Sequence, residues 1–265
     1  MYDSYNRRID YLRISVTDKC NLRCRYCMPA EGVPLRRHED YLSFEQITAV
    51  VRAAVKLGVT KVRLTGGEPL VKRGIVDLVK MIRSVEGLQH LAVTTNGTLL
   101  SRHAGRLKAA GLDSLNVSLD TLDPDRYGRL TRGGEIRRVL EGIDAAAEAG
   151  LPVKINMVVL EDTAQKEIEE MRRFCFAKGL KLQLINHFAL GAEKSDNYNF
   201  ERPPRCDECN KIRLLADGSL KPCLHSDEEI PVDLDDIEGS LRATIARKPE
   251  RGSMCTGRSM MEIGG

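Results

Sequence analysis

Of eight cysteines in this chain, six fall into two groups of three whose spacing suits metal. Cys20, Cys24 and Cys27 stand at offsets of four and three in the run CNLRCRYC. Thiolates so spaced on one loop can hold three corners of a cubic [4Fe–4S] cluster and leave the fourth iron open. A structural zinc site would close its tetrahedron with a fourth Cys or His, and the nearest imidazole, His38, is badly spaced for that. The second group is Cys206, Cys209 and Cys223. It supports two readings: another cluster with an open iron, or a zinc ribbon completed by His225 or Cys255. Cys175 lies within a predicted helix and reads as a buried structural thiol.

These residues need a frame. Apolar residues predict a strand over 11–16 that runs into the first cysteine loop. Ser43-Phe-Glu-Gln46 is a capping box, and Ile47, Val50, Val51, Ala54 and Val55 recur at helical spacing until Gly58. Strands over 61–65, 91–95, 115–119, 153–160 and 181–185 then alternate with helices over 75–84, 102–110, 137–149 and 164–178. Six such strands imply an α/β fold with a parallel sheet and helices outside, closed into a partial barrel or left open. In either case chemistry belongs at the carboxyl ends of the strands. The rhythm stops near residue 188. A polar linker over 191–205 with Pro203-Pro204 precedes a hairpin of 211–215 and 220–223 about Asp217-Gly218. A helix near 241–247 and an end without regular pattern complete the chain. The expected division is 1–188 for the barrel and 189–265 for linker, hairpin and tail.

The 41 Lys plus Arg nearly balance 38 Asp plus Glu, a formal net charge of +3. That balance argues against nucleic acid as a partner, and without Trp, base-stacking platforms are poorly supplied. No apolar run approaches the ~20 residues of a membrane span. The start, MYDSYNRRID, lacks the apolar core of a signal peptide. A cytoplasmic location is expected, where clustered thiols serve metals or redox chemistry rather than disulfides.

With its neighbours, the first cysteine loop resembles the signature of radical SAM enzymes: CxxxCxxC after the first strand, Tyr26 before the last cysteine, and Gly66-Gly67-Glu68-Pro69 after the second strand. The resemblance implies a partial (β/α)6 TIM-type barrel with a small C-terminal iron–sulfur cluster domain. It implies S-adenosylmethionine (SAM) on the open iron, cleaved on reduction to methionine and a 5′-deoxyadenosyl radical. Gly66, Gly67 and Glu68 would meet the SAM amino group. Asn96, in Thr94-Thr95-Asn96-Gly97, and Ser118, in Ser118-Leu119-Asp120, would face the same pocket; by residue type alone both could equally cap helices.

A closer resemblance, to the GTP 3′,8-cyclase family of molybdenum cofactor biosynthesis, runs through almost the entire chain. YLRISVTDKCNLRCRYCMP, KVRLTGGEPL, TTNG, NVSLD, VKINMVV, CDECNKIRLLADGSLKPCL and the terminal IGG carry it. It implies two [4Fe–4S] clusters, the second open to the guanine of GTP. It also implies a Gly264-Gly265 tail threaded into the active site, where residues without Cβ approach closely. A triphosphate asks for permanent cations with fork geometry. By resemblance GTP meets Arg13, Arg63, Thr94, Lys154 and Arg213, with Lys211 beside them; ribose C3′ loses hydrogen and then attacks purine C8. An electron donor of flavodoxin or ferredoxin type is implied, and a homodimer is left open. Departures lie on the substrate side. Gln183 and Asn186 stand where the family has Arg and Glu, Phe188 where a SAM-contacting Met is common, and Lys211 where a forked Arg is usual. The linker is also shorter than the family's. A second reading is therefore a paralogue that turns the same two-cluster chemistry on another nucleotide or a peptide.

Overall fold

The computed structural model describes residues 1–32, 37–194, 200 and 205–264. Strands β1 (Tyr11–Ser15), β2 (Lys61–Thr65), β3 (His90–Thr95), β4 (Ser114–Ser118), β5 (Val153–Val159) and β6 (Lys181–Asn186) pair side by side, each parallel to the one before. Helices α1 (Phe44–Lys56), α2 (Ile75–Arg83), α3 (Leu100–Ala109), α4 (Pro124–Thr131), α5 (Ile136–Glu148) and α6 (Gln165–Ala177) fill the crossovers. Among the described residues the sheet order is β6-β5-β4-β3-β2-β1-β7-β8-β9, so β6 forms an edge and the barrel is partial.

Period-two alternation decides which side chains meet the chemistry. Leu12, Ile14, Val62, Leu64, Leu91, Val93, Leu115, Val117 and Ile155 pack with Val50, Leu78, Leu107 and Val139 of the helices in one core. Each fully buried aliphatic side chain there contributes about 1.5–3 kcal/mol. The intervening residues turn to the opposite face. There the register aligns Arg213, Arg13 and Arg63 across three strands, and Thr94, Asn116 and Lys154 across three more. Helix α1 starts where the capping box predicts: Gln46 N–H donates to Ser43 Oγ at 3.2 Å, and Ser43 N–H to Gln46 Oε1 at 2.8 Å.

The C-terminal hairpin extends this same sheet. Strand β7 (Lys211–Leu214) lies parallel to β1, and β8 (Ser219–Lys221) and β9 (Ile230–Pro231) follow antiparallel. The polar N-terminal lead also has a structural task. Arg7, paired with Asp3 at 2.6 Å, donates to the carbonyls of Cys206 at 2.7 Å, Pro249 at 2.7 Å and Glu250 at 2.8 Å. Helix α7 (Ile237–Ala246) starts earlier than predicted, and Asp236 accepts from Gly239 N–H at 2.9 Å as its cap. Among the described α-helices and strands, α4, β9 and α8 (Met260–Ile263) are not among the sequence-based expectations, and α8 corrects the expectation of an irregular end. Pro203-Pro204 lies outside the described residues. No helix among the described residues is long and apolar enough to cross a membrane.

Candidate active site

The first triad sits on the loop leaving β1. Cys27 and Met28 N–H both donate to the Cys24 carbonyl, at 3.0 and 3.1 Å, winding the loop into a tight turn. The end of α4 holds it from outside: Arg23 N–H donates to the Thr131 carbonyl and Arg25 N–H to that of Leu130. Arg132 follows α4 and donates to the carbonyls of Arg23 at 2.9 Å and Met28 at 2.8 Å. Burial, then mutual repulsion with the other thiols and Asp120, pushes the Cys24 thiol far up; burial and Asp120 push Cys27 up to about 12. Three thiolates cannot share this pocket without a strongly cationic partner, and iron is such a partner.

The second loop is fastened to the first. Gly67 N–H donates to the Thr17 carbonyl at 2.8 Å and Glu68 N–H to that of Lys19 at 2.9 Å. Glu68, fully buried, faces inward: its carboxylate accepts from Leu70 N–H at 2.9 Å, Thr95 Oγ1 at 2.8 Å and Asn96 N–H at 2.6 Å. Burial pushes it up to about 7 against those three donors. It shapes the site rather than lining it. Asn96 Nδ2 reaches Asn21 Oδ1 at 2.9 Å and lies 3.8 Å from Cys20 Sγ. Tyr26 bonds to Asp120, whose other oxygen accepts from Val158 N–H at 2.8 Å, so the cysteine loop is tied to β4 and β5. Burial raises Asp120 to about 6.

Across the barrel mouth stand Cys206, Cys209 and Cys223. Gly252 makes room for them, since a Cβ there would stand 2.7 Å from Cys223 Sγ. Lys194 Nζ lies 2.7 Å from Cys206 Sγ and Lys248 Nζ 3.4 Å from Cys209 Sγ. Burial raises the Cys209 thiol, but Lys248 and Lys211 more than offset it and the net shift is downward. Among the described residues no three His, Cys, Asp or Glu side chains gather as a single-ion site. A cubic cluster takes thiolates at separate corners and does not ask for such gathering. Cys255 is buried with Leu190 and Ile263 in a small apolar core, and Cys175 is buried under α6.

Two cavities join the triads. One of about 330 Å³ is lined by Cys20, Cys24, Cys27, Tyr26, Gly66, Gly67, Thr94, Asn96, Ser118 and Arg13. The other, about 390 Å³, is lined by Cys206, Cys209, Cys223 and His225. Phe188, Lys211 and Arg213 border both. The C-terminal tail enters here: the Gly264 carbonyl accepts from Arg13 at 3.0 Å and Arg213 at 3.1 Å. A Cβ on Gly264, at φ +73, would meet Thr65 Cγ2 at 2.5 Å. Gly265 lies outside the described residues. Arg63 and Lys154 stand back from the cavity linings: Arg63 bonds Tyr11 and, at 3.3 Å, Thr94, and Lys154 meets Gln183 Oε1 at 2.5 Å. Asn156, His187 and Met261 line the first cavity without having been singled out in the sequence, which gave them no motif.

The profile of the Radical SAM superfamily matches residues 14–175. A GTP 3′,8-cyclase of Alkaliphilus oremlandii is 40% identical with all of both chains covered. One from Peptoclostridium acidaminophilum is 41% identical over all of this chain and 98% of its own. The chain belongs to the radical SAM superfamily and, within it, to the GTP 3′,8-cyclase family. Streptococcus suis SuiB bound to S-adenosylmethionine shares this radical SAM fold at TM-score 0.69 and 17% identity, over 94% of this chain and 72% of that one. Native anSMEcpe with bound AdoMet superposes at TM-score 0.65 and 16% identity, over 91% of this chain and 81% of its own. The Alkaliphilus alignment spans 321 positions against 265 residues here, so that family member carries segments with no counterpart in this chain.

Proposed function

We propose that this chain is a GTP 3′,8-cyclase of molybdenum cofactor biosynthesis, acting in the cytoplasm with a small flavodoxin- or ferredoxin-type reductant. One [4Fe–4S] cluster would be held by Cys20, Cys24 and Cys27, and a second by Cys206, Cys209 and Cys223. The observation that carries the reading is the row Arg213–Arg13–Arg63, set in register on adjacent strands, in which Arg213 borders both thiol-lined cavities, Arg13 lines the first and Arg63 stands behind them. Three fixed guanidiniums suit a polyphosphate at one end of a substrate whose base reaches the second triad.

When bound, SAM on the reduced first cluster supplies a 5′-deoxyadenosyl radical. The chain's own residues set the stage for it. Tyr26 and Asp120 fix the cysteine loop, and Gly66 and Gly67 bring backbone to the cavity wall. Arg13 and Arg213 hold the Gly264 carbonyl beside Thr65, which narrows the space in which a ribose can sit. Burial and the neighbouring arginines lower Arg13 to about 9, a strain that an anion would relieve. Anaerobically reconstituted protein given GTP, SAM and reductant should form 5′-deoxyadenosine together with a cyclised purine of GTP mass. Deoxyadenosine formed at the same rate without GTP would overturn the reading. A GTP-independent product from another nucleotide or a peptide would instead support the paralogue to which Gln183 and Lys211 point.

A further inference from the structure

The two thiol triads sit in opposite electrostatic settings. Around Cys20, Cys24 and Cys27 the nearby charges are the carboxylates Asp120 and Glu68, and among the described residues no ammonium or guanidinium donates to those sulfurs. Around the second triad the neighbours are cations, and one of them is placed unusually. Lys248 follows α7 and is 2% exposed. Its Nζ donates to the Lys211 carbonyl at 2.8 Å and the Pro222 carbonyl at 2.8 Å, and lies 3.4 Å from Cys209 Sγ. Lys211 opens β7 two residues after Cys209, and Pro222 immediately precedes Cys223. One ammonium thus bridges the two segments that carry the ligands. Among the described residues it has no carboxylate partner, and a buried ammonium requires negative charge nearby. The thiolate side of the metal centre is what the structure offers.

We infer that Lys248 is a positioning residue of the second centre, stapling the Cys209 and Cys223 segments together and holding the centre's negative charge so that its reduction potential lies above that of the first cluster. The inference rests on the two-cluster reading. Potentials of iron–sulfur centres follow net charge and hydrogen bonds to sulfur. A cation at the thiolate favours the reduced, more negative state. Carboxylates beside the first triad do the reverse, as suits a centre that must deliver an electron to SAM.

The test uses reconstituted holoenzyme, iron analysis and an EPR-monitored redox titration. The parent should carry about eight irons per chain in two clusters. Lys248→Gln keeps an amide donor for the carbonyls and removes the charge. It should move the midpoint of the second cluster to more negative potential and leave the first unmoved. Lys248→Met removes both functions and should drop iron toward about four per chain, with the SAM-perturbed EPR signal of the first cluster retained. Lys248→Arg should keep the iron. If Lys248→Met fails to fold, Lys248→Gln carries the test alone. Full iron and two unmoved midpoints in Lys248→Gln would overturn the inference. A parent with about four irons and zinc at the second triad would instead bring down the two-cluster reading, and this inference with it.

Discussion

Gly67 has no room for a Cβ. One placed there would stand 2.4 Å from the Lys19 carbonyl oxygen and 2.7 Å from that of Asp18, and neither backbone atom can swing aside. Gly66, at φ +142, is as tightly placed, 2.3 Å from the Thr17 carbonyl oxygen. Gly67→Ala must therefore push away the segment that ends in Cys20. Overpacking of this kind costs about 1–3 kcal/mol. The expected result is a lower unfolding midpoint and weaker SAM binding, read by thermal melts and equilibrium dialysis on reconstituted protein; unchanged SAM affinity would refute it. The motif was legible in the sequence, but its contacts were not. The resemblance alone places Gly66, Gly67 and Glu68 at the cofactor. The atoms add a prior task, since the glycines seat one loop on the other and Glu68 spends its oxygens on Leu70, Thr95 and Asn96. Which neighbour claims a carboxylate is decided by tertiary packing, which no local pattern encodes.

Helix α4 makes the same case for elements. Asp123 caps it through Arg126 N–H at 2.6 Å and Pro124 fills its first turn, a start signal present in the sequence. With only Tyr127, Leu130 and Thr131 buried, its apolar pattern was too short to register as a helix. Yet its carboxyl end supports the cysteine loop, and Arg132, at φ +53, makes two bonds to that loop. Arg132→Gly is the clean probe, because glycine accepts the left-handed backbone and removes only the guanidinium. At about 1 kcal/mol per hydrogen bond, iron should leave the first triad on the order of tenfold faster, with global melting little changed. Chelator-release kinetics followed in the visible spectrum would show it, and a parental release rate would count against α4 as a support. The longer βα elements were legible because each carries a full apolar stripe. The β7 pairing was not, because the strand joins β1 from some two hundred residues away in the chain.

At the scale of the molecule, the question is what keeps the tail inside the barrel. Asp227 accepts from Thr256 N–H, Thr256 Oγ1 and Gly257 N–H, each at 2.8 Å, and those donors hold its carboxyl well below the usual range. Arg258 then binds Asp217 at 2.7 Å, Glu229 at 2.6 Å and Glu262 at 3.3 Å, anchoring the start of α8. Burial would raise Asp217, but Arg258 more than offsets it and the net shift is downward. A carboxylate depressed in the folded state contributes stability that is present above its unfolded value, near 3.9, and lost as pH falls through the folded one. Glu68 and Asp120 have the opposite sign: with folded values near 7 and 6, they take up protons on the way down to pH ~4 and relieve the barrel of buried charge. Global stability therefore mixes two trends, and the measurement must be local. Hydrogen exchange at the Thr256 and Gly257 amides should accelerate below pH ~4, relative to intrinsic rates, while the β2 and β3 amides stay protected. Asp227→Asn should loosen the same two amides at pH 7 and weaken GTP-dependent turnover, because the carbonyl held by Arg13 and Arg213 would lose its tether. Tail amides that stay protected in acid and in the variant would mean that α8 is held by Met261 and Ile263 packing alone.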